Sequence, residues 1–313
     1  MYRIVVFIIA SLLSVATYAQ DDIVFTPQWT AQAQFAGYYV AEAKGFYREA
    51  GVKVCIEHPS VTQPAMARLR SGECQATTLQ VCQALEIVDA GIPLVNILQT
   101  SMNNAMVIVS ARGKDPLSQK GVRVGIWSVG FGQLAICMSI KDHLDYQWVR
   151  IAQNVNLFVA GALDATLAMS YNEYYQLIQA GMDISDKAVY RFCDHGYNVQ
   201  EDGVYNTREY YQAHRQHARN FAEASRRGWE WAAQHPDEAL DIVMQYVDKD
   251  RIATNRTLQR LMLKEVLRLQ VDRESKKREF RLRPDMVQQA SHLMVENMML
   301  GREVTYEELV NEK

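Results

Sequence analysis

Short apolar runs alternate with amphipathic stretches through roughly the first two-thirds of the chain. Residues 22–26, 52–56, 94–98, 106–110, 122–126, 148–152, 164–168 and 188–192 read as strands. Several are apolar throughout, as strands covered on both faces are. Between them, residues 34–44, 63–70, 81–90, 133–143 and 173–180 carry helical spacing. Strand and helix in alternation predict an α/β fold with mainly parallel sheets. After Thr207 the pattern turns helical, over 207–234, 237–247, 255–269, 283–299 and 306–311. Thr207 is placed to cap the first of these helices. His235 and Pro236 close it, and Pro236 suits the first turn of the next. An α/β portion ending in a helical tail predicts a chain that crosses to a second lobe and returns. Lobe one is expected over residues 20–110 plus 205–313, and lobe two over 111–204.

The first residues read as an address. Arg3 supplies a positive charge, Ile4 to Val15 is almost unbroken apolar sequence, and Thr17-Tyr18-Ala19 sets small residues at the spacing of a cleavage site. This three-part pattern predicts a secretory signal peptide over residues 1–19, cut after Ala19. The apolar run falls short of the roughly 20 residues that span a bilayer. No Cys follows it, so lipid attachment is not expected. The mature protein is expected to be soluble and periplasmic.

Composition narrows the picture further. Hydrophobic residues make up 49% and charged residues 22%, enough for a sizeable core. A net charge of −3 gives no electrostatic reason to expect nucleic acid or an acidic surface as partner. The five cysteines, Cys55, Cys74, Cys82, Cys137 and Cys193, show neither C-x-x-C nor zinc spacing. They read as small buried hydrophobes, with one disulfide left open. There is no G-x-S-x-G, H-E-x-x-H or Walker loop. His214 and His217 share a charged helix face and read as solvated. No metal and no cofactor is expected.

The most informative stretch is QWTAQAQFAGYYVAEAKGFYREAGVKV, residues 28–54. Phe35, Tyr38, Tyr39 and Phe46 recur at helical spacing, the mark of a core stripe. Gly45 is placed to end the helix, and Gly51 to turn into the next strand. The turn before the helix reads differently. Trp29, Gln32 and Gln34 cluster where strand one meets helix one. Ligands of open α/β sheets bind at the carboxyl ends of strands. Aromatic faces with amide donors and acceptors suit a flat polar heterocycle.

This segment resembles the opening of the periplasmic solute-binding proteins of ABC importers, in the branch related to thiamine-pyrimidine biosynthesis proteins. The wider superfamily includes nitrate, sulfonate and taurine binders. RLRSGECQATTLQ (68–80), DAGIPLVNILQT (89–100), KGVRVGIWSVGFGQLA (120–135), GALDATLAMSYNE (161–173) and AEASRRGWEWAAQHPDEALDIV (222–243) continue the likeness in order. The resemblance covers nearly the whole mature chain. It implies a type II periplasmic-binding fold: two α/β lobes joined by two crossovers, with a ligand cleft between them and a helical C-terminal part.

Carried across residue by residue, the resemblance places the ligand site at Trp29 and Gln32 of lobe one, with Thr78, Gln80 and Asn104, and Asn103 beside it; Gln34 and Tyr38 of the same segment are further candidate ligand contacts. Lobe two contributes Ser128, Gly130 and Phe131 at a helix start, then Tyr171, Asn172 and Glu173. Each has a plainer reading. Gly130 and Gly132 also suit a tight turn, Asn103-Asn104 a plain turn, and Tyr174 and Tyr175 helix packing. Glu173 resembles the partner of a ligand's exocyclic amino group, but an acid at a helix start is also favoured by the dipole.

Enzymatic relatives with this fold carry a Schiff-base lysine and a histidine four apart, where Leu79 and Gln83 stand here. Neither Leu79 nor Gln83 can do that chemistry, so no catalytic residue is expected. The expected function is extracytoplasmic binding of a thiamine-precursor pyrimidine for delivery to an inner-membrane ABC permease, by a monomer. A flavin or a small sulfonate stays open as ligand, and a receptor kinase as partner. An anion calls for a basic residue, and no Arg or Lys falls in the named loops.

Overall fold

Among the described residues, ten short strands are sorted into two sheets by where the chain crosses between them. A computed structural model describes residues 23–60, 62–111, 115–118, 120–127, 130–152 and 154–310. The expected signal peptide and Ser128 lie outside the described residues. The strands are β1 (Ile23–Thr26), β2 (Val54–Ile56), β3 (Ala76–Leu79), β4 (Leu94–Gln99), β5 (Met106–Ser110), β6 (Val122–Trp127), β7 (Tyr146–Ile151), β8 (Ala165–Met169), β9 (Val189–Arg191) and β10 (Gly203–Thr207). The first sheet has the order β2-β1-β3-β10-β4 and the second β7-β6-β8-β5-β9. In each sheet one strand opposes its neighbours: β10 runs antiparallel to β3 and β4, and β5 to β8 and β9. Those are the strands that directly follow the two crossings. The sheets are thus mixed, each a mainly parallel sheet with one returning strand.

The helices are α1 (Ala36–Ala43), α2 (Phe46–Glu49), α3 (Ala65–Ser71), α4 (Val81–Asp89), α5 (Gln133–Lys141), α6 (Asn156–Val159), α7 (Glu173–Gln179), α8 (Arg208–Ala213), α9 (Arg215–Gln234), α10 (Pro236–Lys249), α11 (Arg256–Leu269), α12 (Pro284–Glu296) and α13 (Tyr306–Leu309). A single 3-10 turn, Ala33–Phe35, leads into α1. The architecture is the two-lobed α/β fold expected, with a helical C-terminal part.

Three expectations are corrected. The strand Met106–Ser110 belongs to the second sheet, so the outward crossing spans residues 100–105 and not the expected boundary after 110. The continuous helix expected over 207–234 is two, because His214 leaves helical geometry at φ −128°, ψ 36°. Thr207 Oγ1 does accept the Tyr210 N–H, at 3.3 Å. The C-terminal helices do not belong to lobe one alone: α12 touches α4 and α5, and α11 touches both α7 and the Ala33–Phe35 turn.

The first lobe is built around the aromatic stripe of α1. Tyr38 packs on Phe25 of β1, with ring centroids 4.6 Å apart, and edge-on against Trp229 of α9 at 5.7 Å. Helices α1 and α9 approach so closely that Gly37 and Gly228 face one another. A Cβ on Gly228 would collide with the Gly37 carbonyl, so only glycine fits there. All five cysteines are free thiols, and Cys74, Cys82 and Cys137 are buried. Among the described residues, no helix is long and apolar enough to cross a membrane.

Candidate ligand-binding site

The ends of β1, β3, β6 and β8 bring side chains of both sheets around one small chamber. Gln28 and Trp29 follow β1, Gln80 follows β3, Trp127 ends β6 and Met169 ends β8. Gln32 and Gln34 enter from the 3-10 turn, Phe131 from the loop before α5, and Tyr171, Asn172 and Glu173 from the start of α7. The chamber is about 30 Å³, room for about two waters. Among the described residues, no Arg or Lys lines it.

A chain of amides orders one wall. Gln32 Nε2 donates to Gln34 Oε1 at 2.6 Å, and Gln34 Nε2 donates to Asp202 Oδ1 at 2.8 Å. Gln28 Nε2 donates to the same oxygen at 2.6 Å. The Gln28 backbone N–H is fixed by Thr78 Oγ1 at 2.9 Å. Because Asp202 takes the amide nitrogen of Gln28, the carbonyl end is turned elsewhere. Gln28 Oε1 is buried and has no partner among the described residues. A buried acceptor left unpaired costs about 1–3 kcal/mol, a cost that a ligand N–H can remove. Burial pushes the Asp202 carboxyl up from 3.8 to about 7, against the two glutamine hydrogen bonds.

The opposite wall holds Glu173. Its Oε2 accepts the Met169 N–H at 2.9 Å and its Oε1 accepts Asn172 Nδ2 at 3.1 Å. Burial raises its pKa, and these hydrogen bonds oppose the rise. A carboxylate offers about four acceptor positions, so Glu173 keeps capacity toward the chamber. It also works as an internal tie that fixes the turn between β8 and α7.

The lobes touch across the chamber. Trp29 of the first lobe meets Phe131 of the second edge-to-face, at 5.4 Å and 80°. Gln83 of α4 donates to the Gly130 carbonyl at 3.0 Å, and Gln133 of α5 donates to the same carbonyl at 2.9 Å and to Glu86 of α4 at 2.8 Å. Beyond the Trp29–Phe131 pair, the cleft widens into a groove of about 520 Å³. Pro59, Pro64 and Met66 contribute to its apolar wall.

Of the residues singled out in the sequence, Trp29, Gln32, Gln34, Gln80, Phe131, Tyr171, Asn172 and Glu173 line the chamber. Tyr38 does not: it is a core residue, 1% exposed, between Phe25 and Trp229. Thr78 stays behind the wall, spending its hydroxyl on the Gln28 N–H. Gly130 sits in the groove and supplies its carbonyl to the inter-lobe contact. Asn104 belongs to the crossover. Its Nδ2 donates to the Val199 carbonyl at 2.9 Å and to Glu201 Oε1 at 3.1 Å. Asn103 is likewise committed, donating to the Leu269 and Val271 carbonyls. The sequence reading missed Gln28, Trp127, Met169 and Asp202. The first three lie at or just beyond strand ends, and the rule that ligands gather there was the signal that could have found them. Asp202 carries no such mark, because nothing local announces that an acid will be buried.

The description NMT1/THI5 like belongs to a family whose sequence model matches residues 32–239. The riboflavin-binding protein RibY of Chloroflexus aurantiacus is 26% identical over 262 residues, which is 79% of this chain and 72% of that protein. Among solved structures, the ligand-binding component of an ABC-type import system from Staphylococcus aureus, with zinc bound, superposes with a TM-score of 0.67 at 10% identity. That match covers 93% of this chain and 97% of the other. The periplasmic aliphatic sulphonate binding protein SsuA from Escherichia coli superposes with a TM-score of 0.65 at 14% identity, over 94% and 93% of the two chains. At such identities these two likenesses establish the fold.

Proposed function

The chain belongs to the NMT1/THI5-like family, and on that premise we propose that it captures a small uncharged aromatic heterocycle outside the cytoplasm and delivers it to an ABC importer. One observation carries the ligand class. The chamber combines aromatic faces (Trp29, Trp127, Phe131, Tyr171) with amides and no cationic side chain, and Gln28 Oε1 stands buried without a partner. A sulfonate calls for a positive charge or an array of donors, whereas a heterocycle calls for flat apolar faces and edge hydrogen bonds. A thiamine-precursor pyrimidine is the leading ligand: its ring amino group supplies the donor that Gln28 Oε1 lacks, or uses the spare acceptor positions of Glu173. A flavin is the second reading, favoured by the likeness to RibY.

The capture is proposed to proceed without chemistry on the ligand. Leu79, at the position that the resemblance matches to a Schiff-base lysine, is fully buried. Gln83, at the position of the histidine, accepts the Gln80 N–H at 3.1 Å at the head of α4 and donates to Gly130. Both side chains are used by the fold.

The test is a thermal-shift screen of the mature protein against 4-amino-5-hydroxymethyl-2-methylpyrimidine, riboflavin and an alkanesulfonate. A true ligand at 100 times its Kd adds about 2.7 kcal/mol of stability. A ring ligand should respond and the sulfonate should not. Gln28→Leu, which keeps the bulk and removes the amide, should weaken ring binding about tenfold, since a hydrogen bond in a buried site is worth about 1 kcal/mol or more. Binding of the sulfonate alone would sink the proposal.

A further inference from the structure

The backbone that carries Trp29 is fastened on either side and held once in between. Thr78 Oγ1 accepts the Gln28 N–H at 2.9 Å, and Gln259 Oε1 accepts the Ala33 N–H at 2.7 Å. Between those points, among the described residues, the backbone of residues 29–31 has a single hydrogen bond. It comes from His58, whose Nδ1 lies 2.6 Å from the Trp29 carbonyl oxygen. A carbonyl only accepts, so Nδ1 carries the proton. The other nitrogen of a neutral imidazole is then an acceptor, and His58 Nε2 accepts the Tyr39 hydroxyl at 2.8 Å. Burial pushes the His58 pKa below 6.5, which keeps the ring neutral and this pairing intact. Tyr39 is fully buried on α1, and its ring stacks on Tyr246 of α10 at 4.0 Å and 14°. His58 itself follows β2 and lines neither the chamber nor the groove.

We infer that His58 is a positioning residue for the ligand site: it holds the Trp29 backbone so that the indole stands against Phe131, and it does not touch the ligand. The inference rests on the heterocycle reading above and extends it, by naming what fixes the aromatic face of the first lobe. The support runs from α10 through Tyr246, Tyr39 and His58 to the Trp29 carbonyl. On the far side of that carbonyl the indole meets Phe131 edge-to-face, at 5.4 Å and 80°. Without the His58 bond, residues 29–31 keep only their flanking ties, and a ring ligand has to order the loop as it binds. The two halves of the contact can be separated by substitution. Asparagine sets its amide nitrogen near the place of Nδ1 and reaches the Trp29 carbonyl, but it is too short to meet Tyr39. Glutamine sets its amide nitrogen near the place of Nε2, and so meets Tyr39 while leaving the carbonyl unpaired.

Two readouts test this role. The first needs no ligand: acrylamide quenching of the fluorescence that Trp29 contributes, taken as the difference between each protein and the same protein carrying Trp29→Phe. His58→Ala and His58→Gln should raise the quenching constant of Trp29 about twofold, as a locally released segment becomes more accessible. His58→Asn should keep the wild-type value, a rescue that loss of packing alone does not give. The second readout is calorimetric titration of the mature protein with 4-amino-5-hydroxymethyl-2-methylpyrimidine and with riboflavin. His58→Ala and His58→Gln should weaken the compound that binds by about tenfold, the scale of one buried hydrogen bond, and His58→Asn should restore it. Unchanged Trp29 quenching in His58→Ala and His58→Gln, full ligand affinity in both, or no rescue by a folded His58→Asn overturns the inference and leaves the heterocycle reading standing. If neither compound binds the wild-type protein, the heterocycle reading falls, and the quenching series alone decides whether His58 positions Trp29.

Discussion

Asp202 is the residue in which the fold invests the most polar organisation around the cleft. It lies where the chain returns to the first sheet, at φ +55°, and its carboxylate receives both Gln28 and Gln34. Its carbonyl accepts the Thr100 hydroxyl at 2.7 Å, so the same residue ties one crossover to the other. Burial raises its pKa from 3.8 to about 7. The folded protein therefore holds a proton that the unfolded chain has released between those values. Stability falls as pH rises from about 4 to about 7 and levels off above that, by a few kcal/mol from this group. Glu173 and Glu201, both buried with raised pKa values, act in the same direction. Asp202→Asn keeps the Oδ1 acceptor and suits a positive φ. It should flatten the slope of denaturation midpoint against pH over that window and stabilise the protein at pH 8 relative to wild type. An unchanged slope would show that Asp202 titrates normally. This residue also marks a limit of sequence reading. Trp29, Gln32 and Gln34 were legible because large polar and aromatic groups cluster at a strand end. Asp202 was not, because its burial is made by segments more than a hundred residues away, as its contact with Thr100 demonstrates.

At the scale of elements, hydrophobic pattern located most strands and helices within a few residues. It failed where a strand is polar. Strand β3, Ala76–Leu79, contains Thr77 and Thr78, which are buried because their hydroxyls have partners: Thr77 donates to the Thr26 carbonyl at 2.7 Å, and Thr78 accepts from Gln28. Strand β10, with Asn206 and Thr207 at its end, was missed for a similar reason; Asn206 donates across the sheet to the Gln75 carbonyl at 2.6 Å. Strand β3 entered the sequence reading only through the resemblance. The packing of α1 on α9 was not legible either, since a glycine in a helix reads as a weak point and here marks the closest approach. Gly228→Ala would drive a methyl into the Gly37 backbone, which cannot rotate aside. It should cost about 1–3 kcal/mol or more, the range for overpacking, where an exposed Gly→Ala in a helix gains about 1 kcal/mol. The urea midpoint decides between the two signs.

The whole molecule stands with its lobes in contact and no volume of ligand size behind Trp29 and Phe131. Few interactions hold that closure at the chamber: the Gln83 hydrogen bond to the Gly130 carbonyl, Gln133 to Glu86, and one aromatic pair. At about 0.5–1.5 kcal/mol each, they bias the lobes without locking them. A ligand that contacts both lobes then adds to the same balance. Gln83→Ala removes an inter-lobe donor and should shift the unliganded protein toward an open form. Small-angle scattering should report a larger radius of gyration for the variant, and ligand should bring the two proteins to the same value. Equal radii without ligand would show that this bond does not hold the lobes.

The interior position of β10 sets an order of events during synthesis. Every strand of the second sheet lies between residues 106 and 191, one continuous stretch of chain. The first sheet needs residues 203–207 to join β3 to β4, and these are made last of all its strands. A nascent chain that stops short of β10 thus carries a complete second sheet and a first sheet split in two. The long loop between β4 and β10 must close before the first sheet gains its central pairing, which makes that step late and slow. Until it happens, the free edges of β3 and β4 are open to pairing with other chains, so the interval before residue 207 emerges is when this protein most needs an escort.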